Sequence, residues 1–316
     1  MLWKMLYNSL VNYIILRHAK NARKIYVQRR AKMAKKVIVT ADSTCDLSEE
    51  LKSRYGIKTI PMHINLNGSF HDDMVDITPD DIYQNFYSTG TLPKTAAISI
   101  GEYTDFFKPF VDEGYEVVHI NLGGALSASA KNCALAAAEL EGVYPVDSFS
   151  LSTGSGLLVI EAAIAAEQGF SGREVAEKIS SMRSKVSASF IIDKLNFLRA
   201  GGRCSTLAML GANLLSLKPC IEVVNTDGSM TVGKKYRGKL DRVLETYVND
   251  RLAMFEHIKK DRAFITHSGI SKEIESSIYE LVKSKGIFDE IYITKASCTI
   301  SSHCGPNTLG VLFLTE

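Results

Sequence analysis

Residues 116–133 read Glu-Val-Val-His-Ile-Asn-Leu-Gly-Gly-Ala-Leu-Ser-Ala-Ser-Ala-Lys-Asn-Cys, and an alanine-rich stretch follows. Val117–Leu122 predicts a short buried strand. Two glycines come next, then hydroxyls at Ser127 and Ser129, then a helix. A helix start presents unpaired backbone N–H groups and the positive end of its dipole, so a strand–Gly–Gly–Ser–helix junction suits an anion. The same strand–loop–helix unit, repeated, builds a parallel sheet with covering helices.

Working outward, the alternation continues on both sides. Val37–Thr40 is a short buried strand, and Ser48 caps a helix that Gly56 ends. Ile57–Leu66 is strand-like, with Asn67-Gly68 as a hairpin turn. Thr78-Pro79-Asp80-Asp81 opens one helix, and Ser99-Ile100-Gly101-Glu102 opens another that runs to about Asp112. Val143–Val146 is a strand, Gly154–Gln168 a helix, and Ser171–Val186 an amphipathic helix with a Ser171/Glu174 capping box. After Val186 the rhythm changes. Ala188–Ile192, Pro219–Val224 and Met230–Tyr236 are strands, the last two joined at Asp227-Gly228. Leu240–His257 is a long helix, Ala263–His267 a strand and Ile270–Lys285 a helix, and Ile291–Lys295 and Leu309–Leu314 are closing strands. The expected fold class is therefore α/β with two domains. Residues 37–186 form the first, with a mostly parallel sheet, and residues 187–316 a layered α/β sandwich with antiparallel pairing.

The length of 316 residues and an apolar content of 46% allow each domain its own core. Six cysteines without a C-x-x-C pair fit a reducing cytosol better than a disulfide framework or a zinc site. No apolar run reaches the roughly 18–20 residues that span a bilayer. Charge is uneven: residues 1–36 hold ten Lys/Arg and no acid, which leaves 27 basic and 35 acidic residues in the body, a net of −8. Such a body does not suit nucleic acid. The arm, 1–36, has two readings. It is a basic, apolar segment that lies peripherally on an anionic membrane, or a loose extension before an alternative start at Met33.

Five polar loop segments stand at element ends, where α/β folds place ligand groups: 41–47, 92–95, the Ser127 junction, 198–203 and 302–306. Asp42 and Asp46 read as turn and cap residues ahead of metal or acid–base groups. Asp72, Asp73 and Asp76 read as a solvated acidic loop ahead of a cation site. Thr95 follows Pro93-Lys94 as either a positioned hydroxyl or a loop residue. Arg203, after two glycines that allow close backbone approach, suits a carboxylate or phosphate. Ser127 and His303 could make a hydrolase pair, but Gly-Gly-Ala-Leu-Ser lacks the G-x-S-x-G elbow and no partner acid stands out. His303 beside Cys304 is a poor metal site, and no metal is expected. Gly154-Ser155-Gly156 lacks the third glycine of a nucleotide fingerprint, and no P-loop lysine follows any glycine loop.

Taken in order, these segments resemble the DegV family of bacterial fatty-acid-binding proteins. The resemblance rests on Asp42-Ser43-Thr44-x-Asp46-Leu47, Pro93-Lys94-Thr95, Leu126-Ser127, Val146-Asp147-Ser148, Gly201-Gly202-Arg203, Lys218-Pro219 and His303-x-Gly305-Pro306. It runs from about Lys36 to the carboxyl terminus, nearly 90% of the chain. It implies two α/β domains with a long-chain fatty acid at or near their junction. It also implies a partner, the ATP-binding subunit of fatty acid kinase, that phosphorylates the bound carboxylate. The carboxylate-binding positions carried over by motif are Thr95, Ser127, Arg203 and His303, with no catalytic residue and no cofactor beyond the bound lipid. Ala96-Ala97-Ile98-Ser99, Ala128-Ser129 and Asn307 depart from the family's usual residues. These departures bear on acyl-chain preference and head-group geometry.

The physics of a carboxylate fits that assignment. Two acceptor oxygens are satisfied by two hydroxyls and one or two cationic donors. Each buried methylene of a tail contributes roughly 0.8 kcal/mol, so sixteen carbons offer on the order of 10 kcal/mol before ordering costs. Apolar runs at 207–217 and 157–166 are expected as tunnel wall or as ordinary core. The expectation is a cytoplasmic fatty-acid carrier, with a self-sufficient Ser127/His303 hydrolase as the alternative.

Overall fold

The computed structural model describes residues 36–204 and 217–316. The basic arm and most of the apolar run at 207–217 lie outside them.

The parallel sheet has the order β2-β1-β6-β7, built from β1 (Val37–Asp42), β2 (Lys58–Ile60), β6 (Glu116–Asn121) and β7 (Val143–Asp147). β1 and β6 are central and carry almost no polar alternation, as strands covered on both faces should. Helix α1 (Glu49–Tyr55) joins β1 to β2; helices α3 (Ile100–Asp112) and α4 (Ser129–Ala138) pack together on this sheet, as do α5 (Thr153–Glu167) and α6 (Gly172–Met182). The chain leaves β1 toward β2 on one side, while β6 lies on the other. The carboxyl ends of β1 and β6 thus form a switch point, where open α/β sheets leave a crevice.

A second sheet of seven strands has the order β11-β10-β9-β14-β12-β13, with β8 (Val186–Ser187) also on β14. Its members are β9 (Ser189–Ile191), β10 (Leu217–Val223), β11 (Met230–Arg237), β12 (Ile258–His267), β13 (Glu290–Lys295) and β14 (Leu309–Thr315). Only β12 and β13 pair in parallel. Helices α8 (Leu240–Ala253) and α9 (Lys272–Ser284) help form a separate core with this sheet, around Tyr247, Ile278 and Phe313. α5 is apolar all round because it packs against both β1 and β14. Glu161, midway along it, is buried and meets Arg262 and Lys259 at 2.6 Å each.

A small third sheet, β4-β3-β5, comprises β3 (His63–Leu66), β4 (Ser69–Asp72) and β5 (Lys94–Ala96). The strand-like run 57–66 is therefore two strands in two sheets. Pro61 has no N–H to donate to a ladder, and the next N–H, of Met62, goes to the Ser43 hydroxyl. Helix α2 (Pro79–Thr89) and α10 (Cys298–Cys304) close over this sheet through Ile64, Ile82, Tyr83 and Cys298. The long helix expected to His257 stops at Ala253, and β12 begins at Ile258, five residues before the expected Ala263.

Candidate functional site

The junction at residues 122–129 sits at the carboxyl end of β6. Gly123 and Gly124 are required by close approach: a β-carbon on Gly124 would lie 2.5 Å from an Asp147 oxygen, and one on Gly123 3.0 Å from the Ser150 carbonyl. The Gly124 N–H already donates to both Asp147 oxygens at 3.1 Å. One donor of the expected anion cradle is thus satisfied by the protein's own carboxylate. Ser127 lies one residue before the N-cap position, Ala128, and its hydroxyl accepts from the Ser129 N–H at 3.2 Å. It also bonds the Ser129 hydroxyl at 3.0 Å.

The loop is held from below by a buried network. Asp42, at the end of β1, accepts from the Leu122 N–H at 2.8 Å and the Tyr103 hydroxyl at 2.6 Å, and meets His119 at 3.0 Å. Asp42 therefore ties β1 to β6 and α3 instead of capping a local turn. Asp46 does similar work: it accepts from the Ser152 hydroxyl at 2.5 Å and the Ser297 N–H at 2.9 Å. Asp73, expected in a solvated loop, is buried and accepts from the N–H groups of Cys298 and Thr299 at the start of α10. A carboxylate there satisfies orphan N–H groups and complements the helix dipole. Sequence reasoning misses this because the partners lie more than 200 residues away.

Held this way, α10 aims His303 at Thr95 on β5, and the two side chains meet at 2.9 Å. His303 also lies against helix α7 (Leu195–Gly201): a β-carbon on Gly201 would sit 2.2 Å from its Nδ1. Burial, then the nearby Arg203 charge, pushes the imidazole down to about 4, so the ring is neutral near pH 7. Arg203 follows the left-handed Gly202 that ends α7. It donates from Nη1 to the Gly201 carbonyl at 2.6 Å and from Nε to the Leu126 carbonyl at 3.4 Å.

Thr95, Ser127, Arg203 and His303 all line one cavity of about 190 Å³. The rest of its wall is mainly apolar, including Met62, Leu122, Leu151, Phe190, Met230 and Ile300. Arg203 and Ser127 also face an outer groove of about 830 Å³ with Lys131 and Asp147. Ser127 does not pair with His303, and His303 Nδ1 has no hydrogen-bond partner among the described residues. No group of three or more metal-ligating side chains occurs among the described residues. Residues 157–166 do not line this cavity; they pack in the core between the sheets.

The architecture and sequence have clear relatives. The family model described as "Uncharacterised protein, DegV family" matches residues 36–316. A DegV domain-containing protein of Clostridium acetobutylicum is 28% identical over 286 residues, 89% of this chain and 99% of that one. A solved structure from Thermus thermophilus, described as fatty acid binding of a DegV family protein, is 27% identical with a TM-score of 0.82, covering 89% of this chain and all of the other. A Bacillus subtilis structure described as DegV, a fatty acid binding protein, shares the fold at 24% identity and TM-score 0.76, covering 90% of this chain and 100% of that one. On the breadth of these matches, the chain belongs to the DegV family.

Proposed function

We propose that the chain carries a long-chain fatty acid at the junction of its two α/β domains, with the carboxylate held by Thr95, Ser127, Arg203 and His303. One observation carries this: two hydroxyls, an imidazole and a guanidinium converge on a cavity whose wall is otherwise mainly apolar. That donor set matches an amphiphile with one anionic end. The fatty acid binding ascribed to the Thermus thermophilus relative supports the same ligand class. The carrier works in the cytoplasm, and its basic arm assists exchange with membrane lipid.

On this reading the chain positions the carboxylate and does no chemistry alone. A separate ATP-dependent kinase docks at the outer groove and delivers a phosphoryl group to a carboxylate oxygen. Positioning is a large part of what a protein can contribute to such a transfer. Arg203, facing both the cavity and the groove, stabilises charge as the acyl phosphate forms. The test is denaturing extraction of freshly purified protein followed by lipid mass spectrometry. A stoichiometric fatty acid is expected; no lipid, and no uptake of added fatty acid, defeats the proposal. Ser127→Ala with His303→Ala should abolish acyl-phosphate formation with a cognate kinase, and unchanged formation would discard the site.

A further inference from the structure

Ser129 does not line the cavity, yet it bonds both segments that carry the site's hydroxyls. It is fully buried, and its Oγ lies 3.0 Å from the Ser127 hydroxyl. The same oxygen accepts from the Ile98 N–H at 3.4 Å. Asn132, three residues further along α4 and so on the same face, donates from Nδ2 to the Ile98 carbonyl at 2.8 Å. One helix face thus grips both backbone groups of Ile98. Ile98 is itself fully buried and lies three residues after Thr95, on the link from β5 to α3. Ala96 and Ala97, between the two, line the cavity. The grip therefore fixes where the Thr95 segment stands against the Ser127 loop.

The chemistry of a hydroxyl gives the Ser127–Ser129 contact a direction. Each hydroxyl has one proton to donate and two acceptor positions. Ser129 accepts from Ile98, and its proton has two acceptors within reach, Ser127 Oγ at 3.0 Å and the Met62 thioether at 3.5 Å. A thioether is a weak acceptor, so Ser127 is the better one. Ser127 already accepts from the Ser129 N–H at 3.2 Å. Taking the Ser129 O–H as well fills both of its acceptor positions from behind. The Ser127 O–H is then left for the cavity, and a carboxylate, which only accepts, suits such a donor. An alcohol both donates and accepts, so it adapts to either direction of the hydroxyl.

We propose that Ser129 is a positioning residue for the carboxylate. It turns the Ser127 hydroxyl toward the cavity as a donor and, with Asn132, sets its distance from Thr95 through Ile98. This rests on the carrier reading above and adds a source for its head-group selectivity. Binding groups must be held to within about 0.5 Å of their productive geometry by neighbours whose own contacts are locked. Ser129 meets that need, since burial and three partners hold its side chain.

The test compares dissociation constants of the full chain for hexadecanoic acid and hexadecan-1-ol, which share a tail and differ in head group. Ser129→Thr keeps the hydroxyl and Ser129→Val removes it at nearly the same volume, so any packing cost is common to both. Ser129→Val should bind the acid about ten-fold or more weaker than Ser129→Thr, as for the loss of a hydrogen bond to a charged group, with the alcohol within about two-fold in both. Asn132→Ala, at a half-buried position, should weaken the acid by about five-fold and spare the alcohol, and it decides the matter if the Ser129 variants do not fold. Equal acid affinity in Ser129→Thr and Ser129→Val, unchanged acid affinity in Asn132→Ala, or equal losses for acid and alcohol overturns the proposal while the carrier reading stands. Wild-type protein that binds no acid overturns both.

Discussion

His303 shows how much one buried side chain can report. Its imidazole lies at about 4, below the ordinary value of 6.5, chiefly through burial and secondarily through Arg203. The unfolded chain therefore binds more protons between these values. The stability contributed by neutral His303 is complete above pH 6.5 and is lost as pH falls toward 4. The amount is on the order of 3 kcal/mol. Urea unfolding at about pH 7.5 and 4.5 should show a smaller acid-induced loss in His303→Gln than in wild type; equal losses would remove His303 from the account. The same group gives a signature of ligand. A carboxylate brought beside it raises its proton affinity, so fatty acid binding near pH 6 should take up protons. Calorimetry in buffers of different ionisation enthalpy measures that uptake, and His303→Gln should abolish most of it.

At the scale of elements, the helices that frame the site are the ones local rules announce least. Ser48, Thr78, Ser99 and Ser171 each accept from the third residue of the helix they open, a pattern legible in a four-residue window. α7 and α10 are seven residues each. α7 opens at Lys194 without a side-chain cap; α10 has one, since Ser297 accepts from the Ile300 N–H, but it is short and rich in Thr and Ser, which compete locally with helix. The placement of α10 depends also on Asp73 and Asp46, partners that no short window contains. The four polar residues that line the cavity and make up the proposed site were legible only as motifs in order; the apolar cavity wall was not, because tunnel and core use the same residue types. Two substitutions separate these levels. Gly201→Ala improves helix propensity by up to about 1 kcal/mol yet drives a methyl into His303. It should weaken ligand binding at least ten-fold with a small change in thermal midpoint; unaltered affinity would show that α7 does not set the imidazole. Ser171→Ala, on α6 outside the cavity lining, should cost about 1 kcal/mol by denaturant titration and leave affinity unchanged.

Across the whole molecule, the parallel and mixed sheets are joined by α5 and by the buried carboxylates of Asp46 and Asp73. Burial pushes Asp46 up to about 7. Its folded state therefore holds a proton that the unfolded chain releases near 4, and the stability it contributes is lost as pH rises from 4 through 7. This slope opposes that of His303. Asp46→Asn should make stability rise more steeply with pH over that range, as read from urea midpoints; a flatter profile would contradict the sign. Asp46→Ala, which leaves the Ser297 N–H and Ser152 hydroxyl unpaired, should cost about 3 kcal/mol or more in the same measurement.

The position of β14 has a consequence for how the chain is made. It lies in the middle of the seven-stranded sheet, pairing with β9 on one side and β12 on the other, yet it is the last strand in the sequence. During synthesis the mixed sheet waits with an open seam until β14 emerges, whereas β1, β2, β6 and β7 are complete by Asp147. Thr95 and Ser127 are thus made long before His303. A chain made only as far as β7 carries Thr95 and Ser127 without Arg203 and His303, which is half of the proposed carboxylate clamp.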